Sequence, residues 1–92
     1  MTHDMADRDL AARARQLAHA LRELTGGQAA ITPSRRGGLR VTLRVTAQPD
    51  QALAEAVARV LARGDRFGHS RSRRWERLWA EIDPLPEREV AQ

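Results

Sequence analysis

Residues Arg66 to Ile82 read RFGHSRSRRWERLWAEI, and the number of strands in the fold turns on whether they form one helix or two strands. Trp75, Leu78, Trp79 and Ile82 recur at steps of three, one and three, which is helical spacing. Leu78, Ala80 and Ile82 also alternate, which is the period of a strand. The helical reading is favoured. The alternative is a second hairpin, Arg66 to Ser72 against Arg77 to Ile82, enlarging the sheet to three or four strands. Pro84 and Pro86 stop either element, since proline has no N–H to donate.

Working toward the N-terminus, the neighbouring segments have a single reading each. Leu53, Val57, Val60 and Leu61 follow Pro49 at helical spacing and end at Gly64, so a helix occupies this stretch with Pro49 in its first turn. Leu39, Val41, Leu43 and Val45 alternate with Arg40, Thr42 and Arg44, which predicts a half-buried strand. Gln28 to Thr32 is a shorter strand, which Pro33 ends or pushes to a sheet edge. Arg35, Arg36, Gly37 and Gly38 form the turn between the two. Leu10, Ala14, Leu17, Leu21 and Leu24 make one stripe of a helix running from about Asp7 to Thr25, capped by Asp4 or Asp7 and stopped by Gly26 and Gly27.

The expected fold is α+β: helix, strand, strand, helix, then a C-terminal helix or second hairpin, with the helices packed on one face of a small antiparallel sheet. Residues 1–6 are expected to be a flexible N-terminus, 7–83 a single domain and 84–92 a charged tail. No internal repeat is evident in the residues themselves.

The chain has 92 residues and a formal charge of +4, from 16 basic and 12 acidic side chains. That length holds one core and excludes a large multi-layer enzyme. With no cysteine there is neither a disulfide framework nor a thiolate metal site. No run approaches the roughly 20 apolar residues needed to cross a bilayer, and three aspartates sit where a secretory signal would be apolar and basic. The expectation is a soluble, cytoplasmic protein without a membrane role. Every basic residue is arginine, with no lysine, which fits the codon usage of a GC-rich genome.

The densest basic stretch, Arg63 to Arg77, interleaves arginines with Phe67, His69 and Trp75. Guanidinium groups neutralise phosphates and exposed rings stack on unpaired bases, so this composition suits a nucleic-acid surface. The competing reading is a solvated loop, with Trp75, Trp79 and Phe67 supplying the aromatic part of the core, and for the two tryptophans the core is the expected place, since a chain with three aromatics can hardly leave all of them outside. Arg40 and Arg44 share the polar face of their strand. That strand carries no aromatic there, so the face reads as solvated rather than as a recognition sheet. The expected phosphate contacts are Arg66, Arg71, Arg73, Arg74 and Arg77, with Arg40 and Arg44 as a secondary strip and little direct reading of bases.

His3, His19 and His69 are scattered without a metal-ligand spacing, and no nucleophile has its base at a readable position, so neither a metal, a cofactor nor an enzyme is expected. His69 alone sits where it could polarise a phosphate. The expected function is non-catalytic binding of nucleic acid. The alternative is a small protein-interaction or regulatory module, including a homodimer, whose partner meets Leu17, Leu21 and Leu24 or the Trp75 and Trp79 face.

Overall fold

The computed structural model describes residues 2–46 and 50–84. Six elements follow one another: α1 (Thr2–Thr25), β1 (Gln28–Pro33), β2 (Leu39–Thr46), α2 (Gln51–Leu61), β3 (Arg66–Arg71) and β4 (Trp75–Ile82). The strands form one antiparallel sheet in the order β1-β2-β4-β3. The architecture is α+β, with the core on one face of the sheet.

α1 starts at Thr2, five residues before the start read from the apolar stripe, so Asp4 and Asp7 lie inside the helix instead of capping it. No glycine or proline stands between Thr2 and Leu10, and extending a formed helix costs little compared with nucleating one. It ends where expected. Gly26 adopts φ 72° and donates its N–H to the Arg22 carbonyl at 2.8 Å, the left-handed stop that glycine permits. α2 is capped by Asp50, whose Oδ1 accepts the Leu53 N–H at 3.2 Å. Pro49, and the tail from Leu85 onward including Pro86, lie outside the described residues.

Residues 66–82 form a hairpin, not the favoured helix. The reason is non-local. β2 buries Val41 and Leu43 completely, and one β1 strand can satisfy only one of its two edges. β4 pairs with the other edge, from Leu39↔Ile82 through Thr46↔Trp75, and brings Leu78, Ala80 and Ile82 to the same buried face. On a helix Leu78 and Ile82 would share a face and Ala80 would point away from it.

The core consists of Leu10, Ala14, Leu17, Ala18 and Leu21 from α1, Val57, Val60 and Leu61 from α2, and the inward residues of β2 and β4. Leu17 and Leu21 are buried in the chain's own core, while Leu24 is 36% exposed. The tryptophans are not core, contrary to expectation. In β4 the even positions face inward, so Trp75, Arg77 and Trp79 share the opposite face. Trp75 is 44% exposed, and Phe67, at the β3 edge, 48%. Aliphatic side chains of the helices fill the interior without them. No helix is long and apolar enough to cross a membrane.

A structural repeat appears in the topology, which runs α-β-β twice. The inner strands β2 and β4 lie side by side and antiparallel, and β1 and β3 flank them. A half-turn about an axis through the middle of the sheet therefore exchanges the two halves.

Candidate nucleic-acid interface

Strand alternation assigns the open face of the sheet residue by residue. Gln28, Ala30 and Thr32 come from β1, Arg40, Thr42, Arg44 and Thr46 from β2, Trp75, Arg77, Trp79 and Glu81 from β4, and Arg66, Gly68 and Ser70 from β3. Both helices belong to the other side, where Val41, Leu43, Leu78 and Ala80 are buried. This outer face is polar and basic, with two indoles set into it.

Each indole holds an arginine from the neighbouring strand. The Arg40 guanidinium carbon lies 4.5 Å from the Trp79 ring centroid, and that of Arg44 lies 4.6 Å from Trp75. An exposed cation–π contact of this kind contributes about 0.5–1 kcal/mol. Trp79 leans across β3 at Gly68, where an added Cβ would lie 2.8 Å from the ring carbon Cζ2. The missing side chain is what gives the indole its place.

The charges on this face are unevenly compensated. Arg40 stands opposite Glu81 and reaches its carboxylate at 3.8 Å. Arg44 stands opposite Arg77, and among the described residues neither forms an ion pair. Like charges directly opposite in a sheet destabilise it, by roughly 0.2–1 kcal/mol. The fold retains that cost at the centre of its open face, beside Trp75 and Trp79.

The structure divides the expected contact residues into three groups. Arg40, Arg44 and Arg77, of which the first two were read as a secondary strip, are brought together with both tryptophans. Arg73 and Arg74 sit exposed at the β3–β4 turn, at the Trp75 end of the sheet. Arg66 and Arg71 are each engaged by carboxylates, Arg66 on the open face and Arg71 on the inner one. Arg66 is clamped to the Glu81 carboxylate at 2.9 Å and to both Asp83 oxygens, at 2.7 and 2.9 Å. Arg71 shares the inward parity of Phe67 and lies 3.9 Å from Glu76, whose carboxylate is also 3.6 Å from His69 Nδ1. His69 is thus on the side away from the tryptophans. The platform of Trp75 and Trp79 is the part that sequence reading missed. Its signal was the period of two in 75–82, which once accepted puts Trp75, Arg77 and Trp79 on one face.

The Arg66 clamp ties the start of β3 to the end of β4 and has an acid signature. The hydrogen bonds from Arg66 hold the Asp83 carboxyl below its ordinary range, partial desolvation opposes this, and the charges of Arg66 and Arg36 add to the lowering. Arg66 in turn is raised, first by its bond to Asp83 and then by that to Glu81. A carboxyl lowered in the folded state stabilises above its unfolded pKa of about 3.9 and loses that contribution as pH falls through the folded value. Asp83→Asn should therefore lower Tm at pH 7 and flatten the fall in Tm between about pH 4 and pH 2, measured by circular dichroism. An unchanged acid profile would assign the acid response to other carboxylates.

Among the described residues no three His, Cys, Asp or Glu side chains converge to hold a metal ion. A groove of about 540 Å³ opens between α2 and the sheet, lined by Leu53, Val57, Phe67, His69 and Leu78 and reaching Arg44 and Trp75 at the sheet's end. In comparisons with known proteins the chain matches no family model, no curated protein and no solved structure.

Proposed function

We propose that the chain binds single-stranded nucleic acid, without catalysis, on the open face of its sheet. The observation that carries this is the opposed pair Arg44 and Arg77, uncompensated among the described residues and flanked by Trp75 and Trp79. A phosphate placed between the two guanidinium groups converts a mutual repulsion into two charge-assisted hydrogen-bonding partners. Bases of the same strand stack on the indoles, or on the guanidinium planes that already lie over them. A duplex hides its base faces and offers only phosphates, so it gains nothing from the tryptophans. Neither stacking nor phosphate contact reads a base edge, so the expected sequence preference is small.

The test is fluorescence anisotropy of labelled single-stranded DNA, single-stranded RNA and duplex DNA, at low and near-physiological salt, with the Trp79→Ala variant alongside. Tighter binding of the single strands, a steep loss with salt, and a drop of about tenfold or more in the variant are expected from the stacking contribution of roughly 1–3 kcal/mol per base. Absence of binding at low salt would overturn the reading.

A second reading, a protein-interaction module, is favoured by the groove between α2 and the sheet and the exposed Phe67 beside it. It differs in its response to charge: reversal of Arg77 would leave such a partner bound, and Phe67→Ser would release it.

A further inference from the structure

The two hairpins close with the same three residues, Ser34-Arg35-Arg36 and Ser72-Arg73-Arg74. They also close with the same bonds. Ser34 donates its N–H to the Gly38 carbonyl at 2.9 Å, and its Oγ accepts the Gly38 N–H at 3.1 Å. Ser72 donates its N–H to the Trp75 carbonyl at 2.8 Å, and its Oγ accepts the Trp75 N–H at 3.3 Å. The half-turn that exchanges the two α-β-β units exchanges these turns, and it carries Arg40 onto Arg77.

The serines explain the turns; the arginines do not. Among the described residues, Arg35, Arg36, Arg73 and Arg74 are exposed and form neither a side-chain hydrogen bond nor an ion pair, Arg36 adding only its field at Asp83. A hairpin tip needs a serine or glycine at such positions, not two adjacent cations. The placement of the pairs is informative. Strand register puts one turn beyond the Leu39↔Ile82 end of the central pair and the other beyond the Thr46↔Trp75 end. The paired cations therefore stand at opposite ends of the sheet, and Arg40, Trp79, Arg44, Arg77 and Trp75 line its outer face between those ends.

We infer that the two Ser-Arg-Arg turns are equivalent end anchors for one nucleic-acid strand, which must cross the whole outer face to engage both. This rests on the function proposed above and adds its length requirement. The eight-residue inner strands span about 27 Å at roughly 3.4 Å per residue, so the anchors are about 30 Å apart. A stacked strand advancing about 3.4 Å per nucleotide covers that distance in about nine nucleotides, and a more extended one in fewer.

The experiment is a length series of oligothymidylates from four to fifteen nucleotides, measured by anisotropy against the wild type and the double variants Arg35→Glu/Arg36→Glu and Arg73→Glu/Arg74→Glu. Circular dichroism melting of each protein establishes that it is folded. Wild-type affinity is expected to climb steeply up to about nine nucleotides and slowly beyond. Each double variant should lose the climb, ending within about threefold of the other on the longest oligomer. Wild-type binding that does not rise beyond four nucleotides, or double variants that differ by more than tenfold, would overturn the two-anchor inference while leaving the face as a binding site. Failure of the wild type to bind any length would overturn both, and that result is distinct because it precedes any comparison of variants.

Discussion

Arg77→Glu should make the protein slightly more stable and a much weaker binder. Arg77 is directly opposite Arg44 on the open face, and among the described residues no carboxylate pairs with either. Reversing one charge replaces a repelling cross-strand pair with an attracting one, worth about 0.5–1 kcal/mol at an exposed position. In a domain of this size that raises Tm by a few degrees. Binding moves the other way. One phosphate contact is lost and a repulsion is added in the middle of the strand's path, so affinity at low salt should fall by at least about tenfold. The slope of log K against log salt should shrink by about 0.7 for the lost contact. Thermal melting and an anisotropy titration on the same preparation check both signs. A variant that melts lower and binds as before would show that the Arg44 and Arg77 pair is a structural feature with no ligand.

Gly38→Ala is expected to cost the most stability of any glycine-to-alanine change in the chain. Gly38 is buried, and an added Cβ would run into the Ile82 carbonyl and lie 3.1 Å from the Asp83 Cα. Both are backbone, so nothing nearby can rotate away. Relief requires the first hairpin to part from the end of β4, which breaks the Leu39↔Ile82 pair and disturbs the bonds between Ser34 and Gly38. Overpacking of this kind costs about 1–3 kcal/mol or more, which is a Tm loss of roughly 4–8 °C per kcal/mol. Gly37→Ala is the matched control. Gly37 has φ 87° with open space around it, so the same methyl there meets only the local cost of a left-handed alanine, about 1–2 kcal/mol. Equal losses at the two positions would mean that the approach of β4 to the turn is looser than described.

The sequence carried much of this fold because most of its segments have one period each. The stripe from Leu10 to Leu21 can only be a helix, and the alternation from Leu39 to Val45 can only be a strand. Residues 75–82 satisfy both periods, and nothing local chooses between them. The choice is made by the second edge of β2, which needs a partner, and that demand is invisible within a window of eight residues. The site was legible in its arginines and illegible in its sidedness. Arg40, Arg44 and Arg77 could be named, but their meeting depends on the register of β2 with β4. The scarcity of aromatics points the tryptophans to the core, whereas a set of leucines, valines and alanines with Ile82 closes the interior without them.

The position of β4 has a consequence for the order of events during synthesis. β4, one of the two central strands, is the last of the four to be made. When Thr46 has emerged, α1 and the first hairpin can already pack, but the inner edge of β2 waits for residues 36 positions further on. At roughly 5–20 residues per second that interval is about 2–7 s. Throughout it a row of unpaired backbone groups beside Val41 and Leu43 is open to any other extended chain. A shortened chain ending near Arg74 would carry this condition permanently, and its expected fate is aggregation through β2 rather than a smaller folded protein.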